Sequence, residues 1–172
     1  MRLVVCPLSQ VGAALALAPS HVLSLLSPET QAPPCPGVAP SCRLVLRFHD
    51  ITQPSEGLVP PDRDSIRALI DFGRAWRGEA PLLIHCWAGI SRSTAAAYIV
   101  ACERGERGQE RSLALALRRA SPQASPNALM VALADEVLGR SGTMIRAIPE
   151  IGRGAEASEG AMFDLEIGEH RM

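Results

Sequence analysis

The sequence predicts an α/β fold, in which four mainly parallel strands form one sheet with helices on both faces. Short apolar runs alternate along the chain with segments whose apolar residues recur at helical spacing, a pattern typical of strand–helix–strand units. Stretches rich in Gly and Pro end these segments and separate them from one another. The four predicted strands are residues 3–6, 21–26, 43–48 and 82–85.

Helical spacing is clearest between the third and fourth strands, where apolar residues stand at i, i+3 and i+4 from Ile66 to Ile70. One apolar face of this helix can therefore cover the sheet. Ser125 and Pro126 have the residue types that favour an N-cap and a first helical turn, so they predict where the last helix begins. The predicted helices are residues 10–18, 62–77, 92–104, a segment within 113–120, and 125–139.

Length and composition fit one globular domain. The chain has 172 residues, which is enough to bury a sizeable core. Its net charge of −1 does not favour a nucleic-acid or an anionic membrane partner, and no apolar run reaches the ~20 residues of a membrane span. We expect residues 1–142 to form the domain. Residues 143–172 become rich in Gly and Glu, and we expect a partly ordered tail there.

The five cysteines stand at irregular spacing, without the close pairs that a zinc site or a disulfide framework requires. Free thiols indicate a reducing compartment, so we predict a cytoplasmic protein without a bound metal ion. The N-terminus leaves an alternative open, because the apolar residues 3–18 also resemble a signal peptide. Ser9 and Gln10 interrupt that apolar run, and cleavage would remove a strand of the sheet. A strand, a turn and a helix are therefore favoured.

One loop carries the chemistry of the chain. The apolar fourth strand ends at His85 and Cys86, a short uncharged loop follows, and Arg92 and Ser93 then open an alanine-rich helix. The five residues between Cys86 and Arg92 can turn their amides inward, and such a ring of donors at a helix N-terminus suits a phosphate. The Arg92 guanidinium can add a bidentate grip on two oxygens. The amides, the helix dipole and this arginine all favour a thiolate at Cys86.

The residues IHCWAGISRS at 84–93 resemble the C-x5-R signature loop of the cysteine-dependent protein tyrosine phosphatases, and their wording is closest to the dual-specificity and small bacterial branches. Together with FHDI at 48–51 and GLVPPD at 57–62, they are similar to a family of small tyrosine-phosphatase-like proteins of alphaproteobacteria. The resemblance covers roughly residues 1–140, and strand, loop and helix stand in the order that the chemistry requires. It implies a phosphotyrosine-phosphatase-like fold. We call residues 86–92 the signature loop.

A general acid is expected beside the signature loop. Asp50 follows the third strand in a Pro- and Gly-rich stretch, 36 residues before Cys86, which is enough chain for this stretch, one helix and one strand. The resemblance implies that Asp50 is the acid. Asp62 and Asp64 are its rivals, but they stand at the start of a predicted helix, where acidic residues usually cap the helix or face its dipole.

The residue types and the resemblance together imply a two-step mechanism. The Cys86 thiolate attacks phosphorus to give a phosphocysteine, and Arg92 holds the phosphate oxygens. Asp50 protonates the leaving oxygen and then takes a proton from the attacking water. Ser93 is expected to hydrogen-bond the sulfur, and His85 to support the loop and tune Cys86. The predicted phosphate-binding residues are Trp87, Ala88, Gly89, Ile90, Ser91 and Arg92. No cofactor is expected, because Arg92 and the amides neutralise the phosphate.

The expected substrate is a phosphorylated protein, with phosphotyrosine or dual specificity favoured. A small aryl or nucleotide phosphate stays open, and Trp87 can flank an aryl group. The loop contains no lysine, which disfavours lipid and inositol phosphates. Three other functions stay open. A rhodanese-like sulfurtransferase needs no acid such as Asp50, and an arsenate reductase needs resolving thiols near Cys86. A non-catalytic phosphate-binding module usually lacks the cysteine, the arginine or the acid.

Overall fold

The computed structural model describes residues 1–168. Its strands are β1 (Arg2–Pro7), β2 (His21–Leu26), β3 (Arg43–Arg47), β4 (Leu82–Cys86) and β5 (Phe163–Glu166). They form one sheet in the order β3–β2–β4–β1–β5, in which β1 to β4 are parallel and β5 runs antiparallel to β1. The prediction of a mainly parallel sheet is confirmed, but the number of strands is wrong, because β5 was not predicted.

The described residues form six α-helices: α1 (Val11–Leu15), α2 (Arg63–Ala75), α3 (Arg92–Arg104), α4 (Glu110–Ala120), α5 (Ala128–Val137) and α6 (Thr143–Glu150). Short α1 covers one face of the sheet together with buried parts of the segment 27–42, whereas α2 to α6 build the larger core on the other face. Helices therefore lie on both faces, as predicted. No helix of residues 1–168 has the length and apolar character needed to cross a bilayer.

Strand β4 lies at the centre of the sheet between β1 and β2, and all five of its residues are buried. A continuous apolar run is what a parallel strand covered on both faces requires. The parallel register places Pro7 of β1 beside Cys86, and Ser24 of β2 beside His85. The carboxyl ends of β1 to β4 therefore meet at one edge of the sheet, which is where open α/β folds bind their ligands.

The alanine-rich sequence of α3 lets this helix lie close to its neighbours. Every residue from Arg92 to Cys102 is buried, so α3 is covered on all sides. A Cβ atom at Gly73 of α2 would lie only 3.2 Å from a methyl group of Val100, which shows how closely the two helices pack. Helix α3, which begins at the last residue of the signature loop, is therefore packed closely along its length.

Residues 143–168 pack more extensively than the sequence analysis predicted. They form α6 and β5, and the side chains of Phe163, Leu165 and Ile167 are buried in the main core. Residues on both sides of the predicted boundary at residue 142 therefore belong to one sheet and one core, because β5 pairs with β1. The rest of the expected tail, residues 169–172, lies outside the described residues.

Candidate active site

The sulfur of Cys86 lies at the carboxyl end of β4 and at the base of the signature loop. The side chain is 2% exposed, and the backbone N–H of Gly89 donates a hydrogen bond to Sγ at 3.2 Å. The hydroxyl of Ser93, on the first turn of α3, lies 3.2 Å from the same sulfur. Two polar hydrogens can therefore stabilise negative charge on Sγ.

Three carbonyl groups of the signature loop accept hydrogen bonds from backbone N–H groups of three separate segments outside the loop. A peptide unit whose carbonyl is held outward turns its N–H toward the interior of the loop, which produces a nest of donors. The pairs are Leu8 N–H to Trp87 O at 3.1 Å, Gly160 N–H to Ala88 O at 2.8 Å, and Ser125 N–H to Ile90 O at 2.9 Å.

Gly89 meets two requirements of the loop that other residues do not. Its φ is +71°, in the left-handed region that favours glycine. A Cβ atom here would also lie 2.7 Å from the backbone nitrogen of Pro7. The sequence analysis did not assign Gly89 this neighbour, which the parallel register of β1 and β4 brings to the loop.

Arg92 is held in a fixed position at the mouth of the loop. It is 4% exposed, and its Nη1 donates to the carbonyl of Phe48 at 2.8 Å and toward Ser27 Oγ at 3.4 Å. Its Nε is buried, has no hydrogen-bond partner within residues 1–168, and lies 4.0 Å from Oδ2 of Asp50. The guanidinium is thus preorganised by its contacts through Nη1, and the hydrogen bonds of Arg92 to the protein do not use Nε.

Asp50 lies directly beside the signature loop. Its Oδ1 accepts a hydrogen bond from Ser91 Oγ at 2.7 Å and another from Asn127 Nδ2 at 2.8 Å. Its Oδ2 faces Arg92, and the side chain is 36% exposed. Two donors therefore hold Oδ1, and Oδ2 is the carboxyl oxygen beside Arg92.

Asn127 is a site residue that the sequence analysis missed. It is the N-cap of α5, where its Oδ1 accepts the N–H of Met130 at 3.0 Å, so the prediction of Ser125 as N-cap is wrong by two residues. Asn127 is 3% exposed, and its backbone N–H points to the carbonyl of Ser91 at 3.4 Å. Ser125 and Asn127 both belong to residue types that cap helices, so the sequence alone did not show that the more buried Asn127 is the N-cap.

The rival acids Asp62 and Asp64 serve α2, as predicted. Asp62 is the N-cap, and its carboxylate accepts the N–H of Ser65 at 2.7 Å, a hydrogen bond that lowers the pKa of Asp62. Asp64 lies on the first turn of α2, 3.2 Å from the guanidinium of Arg67. Neither carboxylate contacts the signature loop.

His85 is fully buried, and its Nε2 lies 2.7 Å from Ser24 Oγ of the neighbouring strand. Burial lowers the pKa of His85 to about 4, so the ring is neutral at neutral pH. Successive side chains of a strand point to opposite faces, and His85 therefore does not face the interior of the loop as Cys86 does. Its predicted supporting role stays a prediction.

Several solved structures are similar to this chain. A crystal structure of DUSP15 is 20% identical, with a TM-score of 0.57, and the match covers 88% of this chain and 92% of that one. A mouse putative dual specificity phosphatase complexed with zinc tungstate is 20% identical, with a TM-score of 0.52 and 80% of each chain covered. The chain has the dual-specificity phosphatase fold. No family model matches the sequence, and neither does any curated protein.

Within this dual-specificity phosphatase fold, the predicted catalytic residues lie at one end of the sheet. Asp50 and Arg92 line a cavity of about 530 Å³, and the indole of Trp87, 62% exposed, stands at its rim. Asp50 also borders a second groove of about 500 Å³, which passes Ser125 and Asn127. The remaining residues of the first cavity are Ser27, Glu29, Thr30 and Ala88.

Proposed function

We propose that the protein is a phosphomonoester hydrolase that acts on phosphotyrosine or dual-specificity protein substrates through a phosphocysteine intermediate. One relationship carries the proposal: Oδ2 of Asp50 lies 4.0 Å from the buried Nε of Arg92, at the mouth of the loop that holds Cys86. Asp50 and Arg92 line one cavity, and the signature loop beside it carries Cys86 at its base. Phosphoryl transfer through a phosphocysteine uses an acid, a cation and a thiolate nucleophile together.

The first step begins with Cys86. Its Sγ attacks phosphorus, the P–S bond forms as the P–O bond to the leaving group breaks, and Oδ2 of Asp50 delivers its proton to the departing oxygen. Arg92 and the inward N–H groups of the loop hold the other phosphate oxygens. Ser91 and Asn127 hold Oδ1 of Asp50, and Oδ2 is the oxygen beside Arg92.

The second step releases the phosphate. Asp50, now a carboxylate, takes a proton from a water molecule as the water attacks phosphorus and the P–S bond breaks. Ser93 lies 3.2 Å from Sγ, so its hydroxyl can hydrogen-bond the leaving thiolate. The enzyme returns to its starting state with inorganic phosphate as the product.

The cavity beside Arg92 supports an aryl phosphate as substrate. Trp87 offers an exposed ring at the rim, and the loop carries no lysine for a second phosphate. A phosphotyrosine side chain on a protein fits this chemistry, and a small aryl phosphate shares it.

All five cysteines are free, which supports a reducing, cytoplasmic location.

The arsenate reductase alternative requires a resolving thiol next to Cys86. Cys6 is the nearest cysteine in register, one residue before the partner of Cys86 in β1. It belongs to the apolar cluster on the α1 face, whereas Cys86 belongs to the core on the opposite face. This arrangement favours the phosphatase over the reductase.

Hydrolysis of p-nitrophenyl phosphate by the wild type, Cys86→Ser and Asp50→Asn, from about pH 4.5 to 8 with EDTA present, tests the proposal. We expect metal-independent turnover that disappears in Cys86→Ser and loses its basic limb in Asp50→Asn. Phosphotyrosine, a poorer leaving group, should be more sensitive to Asp50→Asn. Phosphate binding without turnover would favour a binding module, and sulfur transfer from thiosulfate to cyanide would favour a sulfurtransferase.

A further inference from the structure

Residues 152–162 connect α6 to β5 without regular structure and pass along the outer side of the signature loop. Within this segment, which we call the C-terminal strap, the N–H of Gly160 donates to the carbonyl of Ala88 at 2.8 Å. The strap is also fixed on both sides of this contact. The anchoring pairs are Ser9 Oγ to Glu159 Oε1 at 2.5 Å, Met162 N–H to Gln10 Oε1 at 3.0 Å, and Ala155 N–H to Pro122 O at 2.9 Å.

The carbonyl that Gly160 holds belongs to the same peptide unit as the N–H that reaches Cys86. A peptide unit is planar and trans, so the C=O of Ala88 and the N–H of Gly89 point in opposite directions. The C=O accepts the hydrogen bond from Gly160, and the N–H donates to the Cys86 sulfur at 3.2 Å. A rotation of this unit would break both hydrogen bonds at once.

Position 160 has room for glycine and for little else. Gly160 is buried, and a Cβ atom there would lie 3.2 Å from the carbonyl oxygen of Gly89 and 3.3 Å from Cγ1 of Ile90. Any side chain at this position would therefore press against the signature loop. Glycine lets the strap approach closely enough for its N–H to reach the Ala88 carbonyl.

We propose that the C-terminal strap is part of the active site and that Gly160 is a positioning residue for the Ala88–Gly89 peptide unit. This inference rests on the proposed phosphatase function. The carbonyls of Trp87 and Ile90 accept from Leu8 and Ser125, which do not belong to the strap, so these two hydrogen bonds do not involve Gly160. Loss of the Gly160 contact thus frees one peptide unit, and with it one N–H donor to the Cys86 thiolate.

The test compares Gly160→Ala and Gly160→Val with Gly168→Ala and Gly168→Val. Gly168 lies in the same C-terminal part of the chain, and an added Cβ there meets no atom within 4 Å. Three quantities are measured for each variant: the Tm, kcat/KM on p-nitrophenyl phosphate, and the rate at which iodoacetamide alkylates Cys86, followed by peptide mass spectrometry. Alkylation reports the thiolate directly and does not require phosphatase turnover.

We expect Gly160→Val to lower kcat/KM by about tenfold or more and to slow Cys86 alkylation, because a hydrogen bond to a charged group is lost. Gly160→Ala should show a smaller loss of both, with a Tm close to that of the wild type. The Gly168 variants should match the wild type in all three quantities.

If both Gly160 variants show the kcat/KM and the Cys86 alkylation rate of the wild type, the proposed role of the strap is wrong. An equal loss in the Gly168 variants would overturn it too, because the effect would then not depend on contact with the loop. If Gly160→Val does not fold, Gly160→Ala decides the question by the same two rates. A wild type without turnover would refute the proposed function, while the alkylation rates would still test the strap.

Discussion

Nδ2 of Asn127 donates a hydrogen bond to Oδ1 of Asp50 at 2.8 Å, although the two residues are 77 positions apart. The same side chain caps α5, because its Oδ1 accepts the N–H of Met130. Helix α5 therefore fixes the orientation of the proposed general acid, and Ser91 completes the pair of donors on Oδ1. Exchange of the two carboxyl oxygens by rotation would break both hydrogen bonds.

Asn127→Ser should separate these two roles. Serine is as good an N-cap as asparagine, but its side chain is too short to reach Asp50 from the cap position. We expect little change in stability and a fall in kcat of roughly tenfold to a hundredfold on phosphotyrosine, with a smaller fall on p-nitrophenyl phosphate, whose leaving group needs less protonation. Asn127→Ala should add a loss of about 1 kcal/mol in the free energy of unfolding. Equal falls on both substrates would contradict an effect through the acid.

Ser93→Ala should slow the second chemical step more than the first. The Ser93 hydroxyl lies 3.2 Å from Sγ and is fully buried, so its removal leaves the departing thiolate without this donor. We expect a burst of p-nitrophenol followed by a steady state roughly tenfold slower than in the wild type, with phosphocysteine trapped by acid quench. Thr94→Ser is the matched control, because its hydroxyl bonds the carbonyls of Ile90 and Ser91 and not the sulfur. Ser93→Ala without a burst would contradict this role.

The buried ion pair of Glu110 and Arg140 should contribute to the free energy of unfolding but not to the rate of phosphate ester hydrolysis. The two charged groups lie 2.9 Å apart with side chains 4% and 7% exposed, and Arg140 also donates to the carbonyls of Cys102 and Gly105 near the end of α3. We expect Arg140→Met to lower the free energy of unfolding by about 3–5 kcal/mol in urea, since it leaves a buried carboxylate unpaired. The double variant Arg140→Met with Glu110→Gln should recover part of this loss. Additive losses would show that the two groups are not coupled.

The strand, loop and helix around Cys86 were predictable because their signals are local. An apolar run, a glycine in a tight loop and an alanine-rich helix each determine structure within a few residues, and Asp62 marks the start of α2 in the same way. Asp50 could be located because it follows a strand whose carboxyl end must lie at the ligand-binding edge of the sheet.

The contacts that hold the signature loop were not predictable for a physical reason. Gly160 acts through a backbone N–H, which nearly every residue type possesses, so its residue type carries no signal for this partner. Strand β5 was missed because it has only four residues between stretches rich in Gly and Glu, a composition typical of disordered ends. Its stability comes from pairing with β1, far away in the sequence.

His85 should make the stability of the protein depend on pH. In the unfolded chain His85 takes up a proton near pH 6.5, whereas burial lowers the pKa in the folded protein to about 4. Between these two values the unfolded state binds more protons, so the free energy of unfolding falls as the pH falls from about 6.5 to 4. The full effect is on the order of 3 kcal/mol, and none of it is present above pH 7.

Urea unfolding of wild type and His85→Asn at several pH values measures this effect. Asparagine keeps a polar group toward Ser24 but cannot ionise, and the carboxylates are unchanged, so the difference between the two stability curves isolates the histidine. We expect the wild type to lose stability more steeply below pH 6.5. His21→Asn is a second test, because burial also lowers the pKa of the half-buried His21 and should produce an effect of the same sign. Parallel stability curves for the wild type and His85→Asn would mean that folding does not change the pKa of His85, which would contradict the lowering by burial.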